Sequence, residues 1–220
     1  FARHVDFINC TFTKMGGAAL DLYQGTKYSV VKGCIFDDTS GTALNIGTTN
    51  GALTQPESSL TGNISVNNNY FTNIGIEYKG CHAVWAGYVQ FVNISHNEIS
   101  GTSYSPMGIG WGWSGAQTVC RDNEIGYNHI NNYMMEMKDG AAIYTLSLQN
   151  RTRVHHNHIH DGGGSGLYPD EQTWKTEWSF NIVYRSGNSF QDHTLGEERS
   201  STSIRENNIT NNYFDMEPTI

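Results

Sequence analysis

Large apolar residues recur along this chain in short alternating runs, separated by turns of small and polar residues. One phrase returns throughout: Asn or Cys, any residue, then a large apolar residue. It reads Cys10-Thr-Phe12, Cys34-Ile-Phe36, Asn69-Tyr-Phe71, Asn97-Glu-Ile99, Asn128-His-Ile130, Asn157-His-Ile159, Asn181-Ile-Val183 and Asn212-Tyr-Phe214. The spacings are 24, 35, 28, 31, 29, 24 and 31 residues. A second phrase, a small-residue turn and a short alternating strand, follows each of the first seven. Its inward positions read as Leu20, Leu44, Val84, Ile109, Ile143, Leu167 and Phe190.

Alternation with period two sends one face of a strand inward and the other outward. Strands this short are unstable alone, so each unit must stack on its neighbours, about 4.8 Å apart. An Asn at a fixed turn can then hydrogen-bond its own copy in the next unit, and Asn and Gly accept the left-handed backbone such turns need. The pattern predicts an all-β chain, a right-handed parallel β-helix of about eight rungs, the hand following from the general handedness of parallel connections. A β-propeller would need four strands per blade at a longer, more regular period. A sandwich would not repeat one residue type at one register. Residues 1–220 read as a single solenoid domain. The chain begins and ends in strand-like text, so it reads as a segment of a longer solenoid, incomplete at the N-terminus and perhaps the C-terminus.

Composition sharpens this picture. The 220 residues include 24 Gly and 22 Asn, only 15% are charged, and 12% are aromatic. That excludes a coiled coil or a disordered chain. No run of 18 apolar residues exists, so no membrane partner is expected. A net charge of −8 disfavours nucleic acid. Four cysteines make no disulfide scaffold; Cys10 and Cys34 fall at equivalent repeat positions within bridging distance, and read first as small thiols stacked in the ladder, with a bridge as the alternative. Scattered Asn-x-Ser/Thr sequons, Asn63 and Asn93 among them, point weakly to a secreted or extracellular protein. A monomer is expected.

Candidate chemistry gathers on the outward face of the second phrase. One column there reads Asp21, Asn45, Trp85, Gly110, Tyr144, Tyr168 and Gln191; a second runs through Gly47, Gly87 and Gly112 to Asp170 and His193. The later rungs carry Trp85, Trp111, Trp113, Tyr144, Tyr168 and Trp174 as candidate substrate-binding aromatics, beside Asp139, Asp170, Glu171 and His193 as candidate catalytic residues. Aromatic faces stack on pyranose rings and carboxylates accept their hydroxyls. Hydrolysis of a glycosidic bond needs two carboxyl groups flanking it. Asp139 lies four residues before its inward Ile143 and Asp170 three after Leu167, so flat strands would hold them apart and only loop curvature would join them. In His155-His-Asn-His-Ile-His160-Asp161, His158 and His160 share the outer face. With Asp161 they could bind a metal, but spacing fixes no third ligand, and no metal or other cofactor is expected.

Two phrases carry a resemblance. Asp139-Gly-Ala-Ala-Ile-Tyr-Thr145 and Gly166-Leu-Tyr-Pro-Asp-Glu171 resemble strands of carbohydrate-active right-handed β-helix proteins of the pectate-lyase-like superfamily, most of all glycoside hydrolase family 141. There, Asp-Gly-Gly-Ala-Ile-Tyr-Thr and Gly-Ile-Tyr-Leu-Asp-Asp/Glu strands line the active site. This chain departs with Ala141 and Pro169. The resemblance implies acid and base or nucleophile roles for Asp139 and Asp170, with Glu171 nearby.

The leading expectation is a glycoside hydrolase acting on a plant or algal polysaccharide or oligosaccharide. A polysaccharide lyase needs Lys or Arg at its centre, and Lys138, Arg121, Arg151 and Arg153 do not line up with the aromatic columns. The third reading is a structural or adhesive β-helix, such as a surface protein or spike, that holds sugar without cleaving it.

Overall fold

The computed structural model describes residues 1–51, 53–194 and 206–216. Three parallel sheets wrap one core. The first and second each hold eight strands and the third seven, and each strand pairs with its counterpart one rung away. This makes about seven turns of a β-solenoid. The first sheet runs from Asp6–Ile8 to Asn208–Thr210, the second from Thr11–Met15 to Tyr213–Phe214, and the third from Leu20–Leu22 to Asn188–Phe190.

Left-handed residues mark the corners. Asn9, Asn68, His96, Tyr127, His156, Phe180 and Asn211 all have φ near +50° to +60°, and each precedes the Cys or Asn of the repeated phrase. A second such column, Lys14, Asp38, Asn73, Asn132, Asp161 and Arg185, turns the chain from the second sheet toward the third. The cost of αL at non-glycine residues is offset by the hydrogen bonds the turns expose to the ladder. In each ladder Asn, Nδ2 donates to the Oδ1 of the next: Asn69 to Asn97 at 2.9 Å, Asn97 to Asn128 at 3.0 Å, Asn128 to Asn157 at 3.0 Å, Asn157 to Asn181 at 2.9 Å and Asn181 to Asn212 at 2.9 Å. The same oxygens accept the backbone N–H of the preceding ladder residue, as in Asn97 N to Asn128 Oδ1 at 3.0 Å. The Cys34 N–H donates to Asn69 Oδ1 at 2.9 Å, so a cysteine begins the ladder as a backbone donor. Both Cys10 and Cys34 are free thiols.

The apolar residue of each phrase points inward. Phe12, Phe36 and Phe71 stack with centroids 4.7 Å apart and near-parallel planes, and Ile99, Ile130, Ile159 and Val183 continue the column, fully buried.

One registration differs from the sequence reading. Met107, not Ile109, pairs with Val84 and Ile143. The outward column is therefore Asn45, Trp85, Gly108, Tyr144 and Tyr168, with Gly108 where Gly110 was expected.

Candidate active site

The corrected register opens a depression on the third sheet. Gly108 sits between Trp85 and Tyr144 and has no side chain to fill the space; a Cβ there would lie 2.8 Å from the His82 ring. The result is a cleft of about 450 Å³. Its walls include Trp85, Trp111 and Trp113 on one side and Tyr144, Tyr168, Asp170, Glu171 and His193 on the other, with Asp139, Tyr104 and His82 completing it.

The tryptophans reach the cleft through a Gly-Trp-Gly-Trp loop after Met107–Ile109. Gly110 has φ +87° and Gly112 φ +85°, and a Cβ on Gly110 would lie 2.1 Å from the Leu146 carbonyl oxygen, so this path requires glycine. Trp85 and Trp111 meet edge to face at 6.2 Å, and Trp111 and Trp113 at 5.4 Å. Trp111 and Trp113 are exposed, which leaves ring surface for a ligand. Tyr168 is 3% exposed and offers the cleft little ring surface.

Asp170 ends the strand Ser165–Pro169. Its N–H bonds the Thr145 carbonyl at 3.0 Å, and its carbonyl accepts the Thr173 N–H at 2.9 Å, which closes a turn through Gln172 at φ +63°. The Tyr144 hydroxyl makes a short hydrogen bond to Oδ2, and His193 Nδ1 lies 3.0 Å from Oδ1. The Asp170 side chain is 9% exposed against 52% for His193. Its carboxylate is thus sheltered, with one donor on each oxygen. Burial first, then the hydrogen bond to Asp170, pushes the Tyr144 phenol far up, so it stays a donor. Tyr168 is pushed up by burial and by the charges of Asp170, Asp139 and Glu171, so all three carboxylates act on one phenol.

Asp139 is exposed and stands at the other end of the sheet with φ +59°. Its carbonyl accepts the Tyr104 hydroxyl at 2.8 Å. Burial and the charges of Asp139 and Asp170 raise the Tyr104 phenol against the lowering effect of Ser105. The turn brings Asp139 onto the same cleft as Asp170. Among the described residues Trp174 does not line the cleft; it packs by Gly115, and its buried Nε1 meets no hydrogen-bond partner among them.

Two of the lining residues with polar side chains, His82 and Tyr104, were not singled out in the sequence. His82 holds the Ser105 carbonyl through Nδ1 at 2.8 Å, and burial pushes it down to about 4, so at neutral pH it is a neutral imidazole with Nε2 unprotonated. Tyr104 packs beside it, centroids 5.5 Å apart. Both precede their strands, where repeat alignment carries no register.

The fold and this cleft define a class before any particular relative. The chain belongs to the right-handed β-helix family, whose region matches residues 2–183. A solved structure described as a glycoside hydrolase matches 98% of the chain at 28% identity with a TM-score of 0.83. The chain spans 37% of that structure's length. A comparison with curated proteins gives no match.

Proposed function

We propose that this chain carries the active face of a glycoside hydrolase that cleaves a neutral plant or algal polysaccharide or oligosaccharide. The observation that carries the reading is Asp170: a sheltered carboxylate with a donor on each oxygen, in a cleft walled by tryptophans and shared with two further carboxylates. In this reading the tryptophans stack on pyranose faces. Asp170, fixed by Tyr144 and His193, acts as base or nucleophile, and Asp139 at the cleft mouth supplies the proton to the leaving oxygen. Glu171 stands next to Asp170 as the alternative acid. The likeness to a glycoside hydrolase structure and the strand phrases that resemble those of glycoside hydrolase family 141 support the same reading. The stereochemical outcome follows the carboxyl separation, about 5–5.5 Å for retention and about 6.5–9.5 Å for inversion.

A lyase fits this surface less well. Among the described residues lining the cleft there is no Lys or Arg to neutralise a uronate, and three carboxylates would repel it. A sugar-binding role without cleavage draws on one observation, that Asp139 and Asp170 enter from opposite ends of the sheet.

Asp170→Asn and Asp139→Asn should each lower the rate of reducing-sugar release by about 10²–10⁴-fold with the far-ultraviolet circular dichroism of wild type retained. Full activity in both variants rejects the pair.

A further inference from the structure

The second sheet carries a cluster of histidines on its outer face, on a different sheet from the cleft. His129 stands on the strand His129–Tyr133, and His158 and His160 on His158–Gly162. His129 and His158 each directly follow a ladder Asn, so they pair across the rung. Their rings stack at 5.0 Å, and the His160 ring lies 4.9 Å from that of His158. Each can offer one ring nitrogen such that all three lie within 4.8 Å of one another. His129 Nε2 is 2.9 Å from His160 Nε2.

The surroundings orient these nitrogens. Asp161 Oδ2 accepts from His160 Nδ1 at 2.6 Å, which leaves Nε2 of His160 unprotonated and turned to His129 Nε2. Arg185 holds Asp161 in turn, Nε to Oδ1 at 2.5 Å. The Tyr184 hydroxyl lies 3.0 Å from His158 Nε2, an oxygen at the rim of the cluster. Asp161, already engaged by Arg185 and His160, acts as the partner of a ligand rather than as a ligand. The third ligand that sequence spacing did not supply is His129, one rung away.

We propose that His129, His158 and His160 bind a divalent late first-row cation of the zinc class, clamping two adjacent rungs of the solenoid. Three neutral imidazoles suit zinc, copper or nickel rather than calcium or magnesium, which take oxygen ligands. Closing on a cation at about 2.0–2.1 Å needs nitrogens roughly 3.3 Å apart, so no pair draws in by more than about 1.5 Å and the His129–His160 pair widens slightly, within reach of ring rotation. The fourth position stays open to water or an exogenous ligand.

Chelator-stripped protein titrated with Zn²⁺ alone in a calorimeter should take up one equivalent, and Zn²⁺ should raise its melting temperature. Ca²⁺ should do neither. His158 is exposed and His129 half-buried on the outer face, so His158→Gln should melt like wild type without zinc and His129→Gln close to it, yet both should lose the stoichiometric binding. Asp161→Asn should weaken it by about tenfold. Co²⁺ as a second probe should give visible d–d absorption that His129→Gln lacks. No uptake of Zn²⁺ by the wild type would overturn the proposal. So would unchanged affinity in His129→Gln, which would move the ion elsewhere, for instance to the first sheet, where His155 Nε2 is hydrogen-bonded to Glu124 Oε1.

Discussion

Asp170 joins a short strand to a turn, and its side chain has no freedom that Tyr144 and His193 leave it. Tyr144→Phe keeps the ring and removes one donor to a charged oxygen. Such a bond contributes about 1.5–3 kcal/mol, so the variant should lose about ten- to a hundredfold in kcat while binding sugar nearly as well. A KM that rises with kcat unchanged would assign Tyr144 to substrate binding instead. His82 gives a pH prediction. Its folded value, about 4, lies below the ordinary 6.5. Between those values the unfolded chain takes up a proton that the folded one refuses, so stability is complete above pH 6.5 and falls as the pH drops toward 4. The loss reaches about 3 kcal/mol at the lower end. His82→Gln should flatten the melting-temperature curve across that window; an unchanged slope would show that other groups set it.

At the level of elements, the Asn ladder carries the turn geometry. Asn128 is 1% exposed and bonds four ways: its Nδ2 donates to the Ile94 carbonyl and to Asn157, and its Oδ1 accepts from the N–H and Nδ2 of Asn97. Asn128→Ala leaves buried donors and acceptors on both neighbouring rungs unmet, at a cost of about 2–4 kcal/mol. Urea unfolding should show that loss; a midpoint within error of wild type would mean the ladder is not what holds the turns. The ladder also explains what could be read from sequence. The phrase beginning with Asn repeats at one register, so the second sheet and the inward columns of Phe12, Phe36 and Ile130 were legible. The third sheet was legible except at one rung. In Met107-Gly-Ile109-Gly the pattern offers two inward residues two positions apart, and a slip of two leaves alternation unchanged. That slip concealed Gly108, whose missing side chain opens the cleft. His82 and Tyr104 lie in turns, whose path is set by packing rather than by periodicity, and so does the fold-back that brings Asp139 to the cleft. His129 went unread as a ligand, because only the pairing of neighbouring rungs sets it opposite His158.

The whole molecule is a rod with few charges, and its chemically distinctive groups fall on two separate sheets. Outward carboxylates gather at a tryptophan-walled cleft on the third sheet, and histidines gather on the second. The fold alone does not decide between cleaving, eliminating and holding a sugar chain, since solenoids support all three. One measurement separates them. Neutral plant and algal polysaccharides and a polyuronate are incubated with the protein in H₂¹⁸O, and the products are analysed by mass spectrometry alongside those of Asp170→Asn. The account predicts shortened neutral chains with one ¹⁸O at each new reducing end, and their near-absence with Asp170→Asn. Unsaturated products from the polyuronate, no shortening of any substrate by the wild type, or equal yields from Asp170→Asn would contradict it.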